Sequence, residues 1–158
     1  MSLEIERKFL CNLTREEAAS LAFTYRYIKS VYLENKETSS VRVVRDTMKN
    51  GDILCKATEK ISTEKSIYRI ENESDIPVQI FNALDTNTYP SVSKQRFLIT
   101  DNDNVWEVDF FDNYDFVIAE LEFQSEEDAT SFTTLPSWVG KEVTDDPFYL
   151  NCNLARLI

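Results

Sequence analysis

The first ten residues, MSLEIERKFL, alternate: Glu4, Glu6 and Lys8 fall on one parity, and Leu3, Ile5, Arg7 and Phe9 on the other. Side chains two apart share a face of an extended strand, so this stretch predicts a strand with one wholly charged face. For a single strand, a solvated outer face is the plain explanation, and only recurrence can displace it. Alternating or β-branched stretches predict further strands over about 25–33, 40–46, 52–58, 66–73, 94–100, 105–111 and 116–123, so with 3–10 the count is about eight.

Turn and cap signals punctuate the strands. KNGD (49–52) reads as a hairpin turn with Gly51 supplying positive φ, and DNDN (101–104) as a second, polar one. Thr14-Arg15-Glu16-Glu17 has the capping-box form and predicts a helix to about Leu21. Asp75 is expected to cap a second helix running to about Leu84, with Pro77 in its first turn. Ser125-Glu126-Glu127-Asp128 opens a short third helix, acidic where the helix dipole favours it, and 145–155 predicts a last one.

The charged parity recurs on four more strands. Arg69, Glu71 and Glu73 share one face in YRIENE, and Lys94 and Arg96 share one in SKQRFLI. Glu107 and Asp109 do so in VWEVDFF, as do Glu120 and Glu122 in VIAELEF; Arg42 lies between two valines and Lys56 ends an apolar strand. The opposite faces carry aromatic and large aliphatic residues that must be buried, which places helices outside and turns the charges inward. The expected fold is therefore mainly β (α+β): an eight-stranded antiparallel closed barrel with a charged lumen and short helices packed outside, one domain over 1–158. Tyr25, Tyr27 and Tyr32 are expected on its outer surface. Desolvated charges cost several kcal/mol each unless paired, hydrated or metal-bound, so the lumen is expected to be wet. Cations on some walls suit a chain of phosphates, and clustered carboxylates on others suit hard divalent ions such as Mg²⁺ or Mn²⁺.

Composition narrows the chemistry. The 158 residues are 42% hydrophobic, enough for one core, and the net charge of −11 opposes nucleic-acid and anionic-membrane partners. There is no histidine, which removes Ser-His-Asp and Cys-His catalysis and HExxH zinc sites; the two glycines, Gly51 and Gly140, cannot form a P-loop or a dinucleotide fingerprint. The three cysteines, Cys11, Cys55 and Cys152, have no CxxC spacing and read as small residues of a reducing compartment. No run of 18 apolar residues occurs and the N-terminus is charged by residue 4, so a cytoplasmic location is expected.

The order of these motifs resembles the CYTH superfamily, the triphosphate tunnel metalloenzymes, over nearly the whole chain. The resemblance rests on Glu4-Ile5-Glu6-Arg7-Lys8 (ExExK), the VRV strand at 41–43, Lys56, Arg69-x-Glu71-x-Glu73, Lys94-x-Arg96, WEVDFF, AELEF and EVTDDPFYLN at 142–151. It implies a tunnel that takes inorganic triphosphate or the triphosphate of a nucleotide or other organic small molecule, thiamine triphosphate included. By the same resemblance, Lys8, Arg42, Lys56, Arg69, Lys94 and Arg96 hold phosphate oxygens. Glu4, Glu6, Glu120 and Glu122 ligate Mg²⁺ or Mn²⁺, and Lys8, Glu71, Glu73 and Asp109 serve the reaction, the three acids by placing a second metal or the attacking water. The expected activity is metal-dependent hydrolysis. A class IV adenylate cyclase and a non-catalytic polyphosphate- or nucleotide-binding module are the alternatives, and the assembly state, a homodimer included, stays open. Three departures from the family pattern stand out. Val44 occupies the place of a second arginine, so that Arg45 would reach the lumen only through a bulge. Ser30 stands where glutamine is common, and the stretch between Lys56 and Arg69 is long.

Overall fold

The computed structural model describes residues 2–86 and 88–156. Nine strands form one sheet: β1 (Ser2–Cys11), β2 (Thr24–Asn35), β3 (Ser39–Met48), β4 (Ile53–Ser62), β5 (Tyr68–Ile76), β6 (Ser91–Asp101), β7 (Asn104–Phe111), β8 (Val117–Glu122) and β9 (Val139–Glu142). Their order is β5-β4-β3-β2-β6-β7-β8-β1-β9, and β5 also pairs with β1, which closes the first eight into an antiparallel barrel. The short β9 lies outside that closed ring. It takes over the edge of β1 from Phe9 to Cys11, beyond the point where β5 has ended at the Ile5–Tyr68 pair. No sequence signal predicted β9, since VGKE is only four residues long and contains a glycine.

Both predicted hairpin turns form. Gly51 sits at φ 94° between β3 and β4, and Asn102 and Asp103 both take positive φ (47° and 66°) between β6 and β7, the twist that a two-residue hairpin turn requires. Helix α1 (Arg15–Leu21) carries the full capping box between Thr14 and Glu17, and Ser125 caps α3 (Glu126–Ser131) through the amide of Asp128. The second helix is corrected. Asp75 stays in β5 opposite Lys56, and α2 runs Val78–Leu84 with Pro77 at its extended cap. Pro77 disfavours helical backbone at Ile76, so the strand continues to the proline. The last predicted helix is a 3₁₀ turn (Pro147–Tyr149) followed by α4 (Asn151–Arg156).

Apolar packing lies outside the wall, as the alternation requires. Phe9, Phe97, Ile99, Trp106, Val108 and Leu121 pack with Leu13 and Ala18 of the α1 region, and α2 seats Phe81 on Val31, Val43 and Cys55. One end of the barrel is different. There Leu154 and Ala155 of α4 pack against Tyr32, Val92, Phe111 and Ile118, so the C-terminal segment forms an apolar stopper. Hydrogen bonds from Asn35 Nδ2 to the Cys152 carbonyl (2.7 Å) and from the Tyr114 hydroxyl to the Leu154 carbonyl (2.6 Å) hold it in place. The barrel is thus a cup, closed at this end and open at the other.

Candidate active site in the barrel lumen

The charged faces of all eight barrel strands meet in one cavity of ≈ 260 Å³. Among the predicted residues, Glu4, Glu6, Lys8, Arg42, Lys56, Arg69, Glu71, Glu73, Lys94, Arg96, Glu107, Glu120 and Glu122 all line it. Each reaches it by strand alternation, and the registers Glu6–Glu122, Lys8–Glu120 and Glu4–Arg69 set the charges on β1 beside those of β8 and β5.

Two lumen cations were missed, Arg26 on β2 and Lys60 on β4. Lys60 follows Lys56 and Thr58 on the same parity, because β4 continues to Ser62 and so accounts for half of the long stretch between Lys56 and Arg69. Its ammonium lies 3.2 Å from Glu4 and 3.6 Å from Glu71. Arg26 contacts Asp46 at 3.0 Å and Glu107 at 3.7 Å. Val44 does line the lumen, and no bulge rescues Arg45: β3 pairs with β4 without interruption there, and Arg45 points outward over the Phe81 ring at 5.2 Å. Tyr32 is a second correction. It faces inward, and its hydroxyl accepts a hydrogen bond from Arg42 (3.3 Å), an aromatic placed inside because the stopper gives its ring an apolar neighbour.

Asp109 does not reach the cavity surface. It is 0% exposed because the lumen-facing Lys94 (2.7 Å) and the Arg96 guanidinium (2.8 and 2.9 Å) close over its carboxylate and occupy its oxygens. Burial works to raise its pKa, but the two cations overcome this and hold it below the ordinary range. Glu120 follows the same logic: burial opposes ionisation, while Lys8 at 3.7 Å, Lys94 and Arg96 hold it well below the ordinary carboxylate value.

Glu4, Glu6 and Glu122 behave differently. One carboxylate oxygen from each lies within 4.8 Å of the other two, and Glu120 stands outside this triad. Burial, with the negative charges of Glu120 and Glu4 added, pushes Glu6 up to about 8; burial, with Glu4, Glu107 and Glu71, pushes Glu122 up to about 7. Burial also works against Glu4, but Lys60 leaves its carboxyl lowered. An oxygen-only cluster in which Glu4 alone is paired, with Lys60, suits a hard divalent cation such as Mg²⁺ or Mn²⁺.

These shifts fix a sign for stability. Between about pH 5 and 8 the metal-free folded state holds protons on Glu6 and Glu122 that the unfolded chain has released. Stability without metal is therefore expected to fall as pH rises through this window, at up to about 1.4 kcal/mol per pH unit for the buried Glu6 proton and less for that of the exposed Glu122, which solvent screens. Melting curves in chelator from about pH 5.5 to 8.5 test this; a flat or rising profile would show that the two carboxyls titrate normally.

The cavity is lined by eight carboxylates and eight cations, so the lumen is formally neutral inside a chain of net charge −11. Among the described residues, Arg42 and Arg69 are the lumen cations with no carboxylate within 4.0 Å. Arg42 is deeply placed, and its Nε has no hydrogen-bond partner. Burial opposes its charge, yet the Tyr32 hydroxyl, Glu4 and Glu71 keep its pKa raised. Six cations are thus already paired, while Arg42 and Arg69 have no carboxylate, and Glu6 and Glu122 of the triad no cation, within 4.0 Å among the described residues.

A closed antiparallel β-cup whose lumen holds a carboxylate triad and a set of cations on its walls defines the class, a triphosphate-tunnel fold. No protein-family model matches the chain. It is 32% identical over 160 residues to the inorganic triphosphatase of Acetivibrio thermocellus, covering 99% of this chain and 95% of that protein. Among solved structures, it matches the inorganic triphosphatase NE1496 with TM-score 0.60 and 26% identity, over 98% of this chain and 95% of that one. The PH1012 protein of Pyrococcus horikoshii OT3 shares the fold at TM-score 0.56 and 20% identity, over 80% of this chain and 83% of that one. The chain belongs to the CYTH superfamily of triphosphate tunnel enzymes, the family of that triphosphatase. No helix among the described residues is long and apolar enough to cross a membrane.

Proposed function

We propose that the protein hydrolyses inorganic triphosphate to pyrophosphate and orthophosphate inside this lumen, with a divalent cation. The observation that carries the reading is the coexistence, in one cavity, of the Glu4–Glu6–Glu122 triad and the uncompensated guanidiniums of Arg42 and Arg69. The name of the Acetivibrio relative, inorganic triphosphatase, supports the substrate.

Phosphoryl transfer asks a protein mainly for positioning and for charge opposite the phosphate oxygens. Arg42, Arg69, Lys8, Lys56, Lys94 and Arg96 supply that charge, joined by Arg26 and Lys60. Glu4, Glu6 and Glu122 would hold Mg²⁺ or Mn²⁺, which when bound supplies neutralisation of the phosphate chain. Glu71 is the candidate base for the attacking water. Burial raises its pKa, it lies half-buried in the lumen, and Lys60 orients it. Glu73 is less available, since Lys56 Nζ (2.8 Å) and the Thr58 hydroxyl (3.3 Å) both donate to it. Asp109 holds Lys94 and Arg96 in place and acts through them.

Release of orthophosphate from tripolyphosphate with Mg²⁺ or Mn²⁺, set against cyclic AMP formation from ATP, tests the assignment directly. Cyclic AMP without phosphate release would replace it with the cyclase reading, and neither product with tight triphosphate binding would leave a binding module. Because the lumen is neutral and the whole chain acidic, calorimetry in excess chelator is expected to show little triphosphate binding, restored by the cation. Equal affinity with and without metal would contradict this.

A further inference from the structure

A second cavity, of ≈ 130 Å³, adjoins the lumen at the side of the barrel. It lies between the β4–β5 connection (Ser62, Thr63, Lys65, Ser66) and the segment after β9 (Thr144, Asp145, Pro147, Leu150). Its origin is topological. The edge of β1 pairs with β5 as far as Ile5–Tyr68, the amide of Glu6 still donates to the Ile67 carbonyl (3.1 Å), and from Phe9 onward the same edge pairs with β9. Between these partners lies a short seam where no strand pairs with β1, bridged by the Lys8 amide donating to Thr144 Oγ1 (3.0 Å) and the Val143 amide donating to the Lys8 carbonyl (2.8 Å). Arg69 lines both cavities, and it is one of the two lumen cations without a carboxylate partner.

We infer that this seam is a side portal through which orthophosphate, the small product of the reaction proposed above, leaves the lumen past Arg69. The far end is sealed by the apolar stopper around Leu154, and a long substrate entering by the open mouth, where Leu54 and Glu122 are exposed, occupies that route itself. A phosphate released on the inner side then has pyrophosphate between it and the mouth, whereas the seam lies beside the inner wall. Its lining suits a small hydrated anion: hydroxyls of Ser62 and Ser66, and Arg69 as a guide. The space is well above the roughly 10–15 Å³ that a single water needs. The charge is balanced for transit rather than storage. Lys65 is already engaged by Glu126 at 2.6 Å, and Asp145 sets one negative charge against Arg69, so the anion is passed on.

Ser66 is exposed and takes no part in the proposed chemistry, so Ser66→Glu adds a negative charge to the portal and Ser66→Gln is its neutral match. In a single turnover, orthophosphate formation is read by acid quench and its release by a fluorescent phosphate sensor. Release is expected to follow formation in the wild type and in Ser66→Gln, and to lag it at least about fivefold in Ser66→Glu, with the formation rate unchanged. Release that keeps pace with formation in Ser66→Glu would overturn the portal, as would an equal lag in both variants. The portal rests on the triphosphatase reading, but the two can fail separately. If the wild type hydrolyses no triphosphate, that reading falls. Titration of millimolar orthophosphate into the labelled protein then decides the portal: amide shifts at Ser62, Thr63 and Ser66, which line the second cavity and not the lumen, support it, and their absence overturns it.

Discussion

Glu6→Gln and Glu122→Gln are each expected to lower triphosphate turnover by more than about tenfold while the protein stays folded. The reason lies in the state of these carboxyls before metal binds. Glu6 is pushed up to about 8 and hydrogen-bonds with Glu120, so at neutral pH without metal it carries a proton that it can donate to its neighbour. A glutamine amide offers the same donation in the same volume. It cannot become the anion that a divalent cation requires. Glu122, pushed up to about 7, is only slightly closer to ionisation. Metal-free melting temperatures should therefore hold or rise in both variants, and more at about pH 8.5 than at pH 6, because only the wild type then carries the buried charge. The increase in melting temperature on adding Mg²⁺ should shrink. Variants that keep full activity and full metal response but melt much lower would reassign both glutamates as structural partners of the lumen cations.

The parity of charged residues made the barrel legible because a strand allows a side chain only two directions. Once the apolar face was assigned to the outside, Glu4, Glu6, Lys8, Glu71 and Glu122 had to point inward, and they do. The same rule could have found Lys60 and Arg26. Each lies on the inward parity of its strand, but Thr58 precedes Lys60, and Ile28, Ser30 and Tyr32 follow Arg26, so neutral neighbours hid the stripe. Depth was not legible. Arg96, Glu107 and Asp109 look equivalent in sequence, yet Glu107 lines the cavity and Asp109 does not reach its surface. Both acids share one parity of β7, and the difference is that Lys94 and Arg96 close over the Asp109 carboxylate, which alternation does not encode. β9 and the docking of the C-terminal helix as a stopper were illegible for a related reason: both are set by partners more than 100 residues away, as in the pairing of Cys11 with Val139 and the bond from Asn35 to Cys152.

The departure at Val44 takes on a different weight beside Arg26. Val44 leaves an apolar position on β3 between Ser30 and Lys56, and together with Ile28 and Leu54 it makes the β2–β4 wall the least charged part of the lumen. Arg26 does not replace the missing cation there, because Asp46 and Glu107 already hold it. The free positive charge is carried instead by Arg42 and Arg69. If triphosphate binds here as proposed, two unpaired guanidiniums meet it, and the demand on the divalent ion is correspondingly great.

Asp109→Asn is expected to be the most destabilising single change in the lumen wall, by about 3–5 kcal/mol, since it removes one partner of a buried ion network and strands the others. The asparagine has nearly the same volume, so packing cannot explain a loss. Its amide nitrogen would face either Lys94 Nζ or the Arg96 fork, donors against donors, where the carboxylate accepts from both at 2.7–2.9 Å. Burial already lowers the pKa of Lys94, with Asp109 as the main opposing attraction. Without that carboxylate, Lys94 would shed its proton at a lower pH, and a charge proposed to hold phosphate would disappear with it. Glu107→Gln provides the scale: its side chain is 23% exposed and it shares Arg96 with Asp109, so its removal should cost under about 1 kcal/mol. Urea midpoints at constant m-value measure the difference in stability, and KM for triphosphate should rise in the surviving Asp109→Asn protein at moderate temperature. An Asp109→Asn variant as stable as wild type, with normal KM and abolished turnover, would instead return Asp109 to the reaction itself, as a group that touches the attacking water.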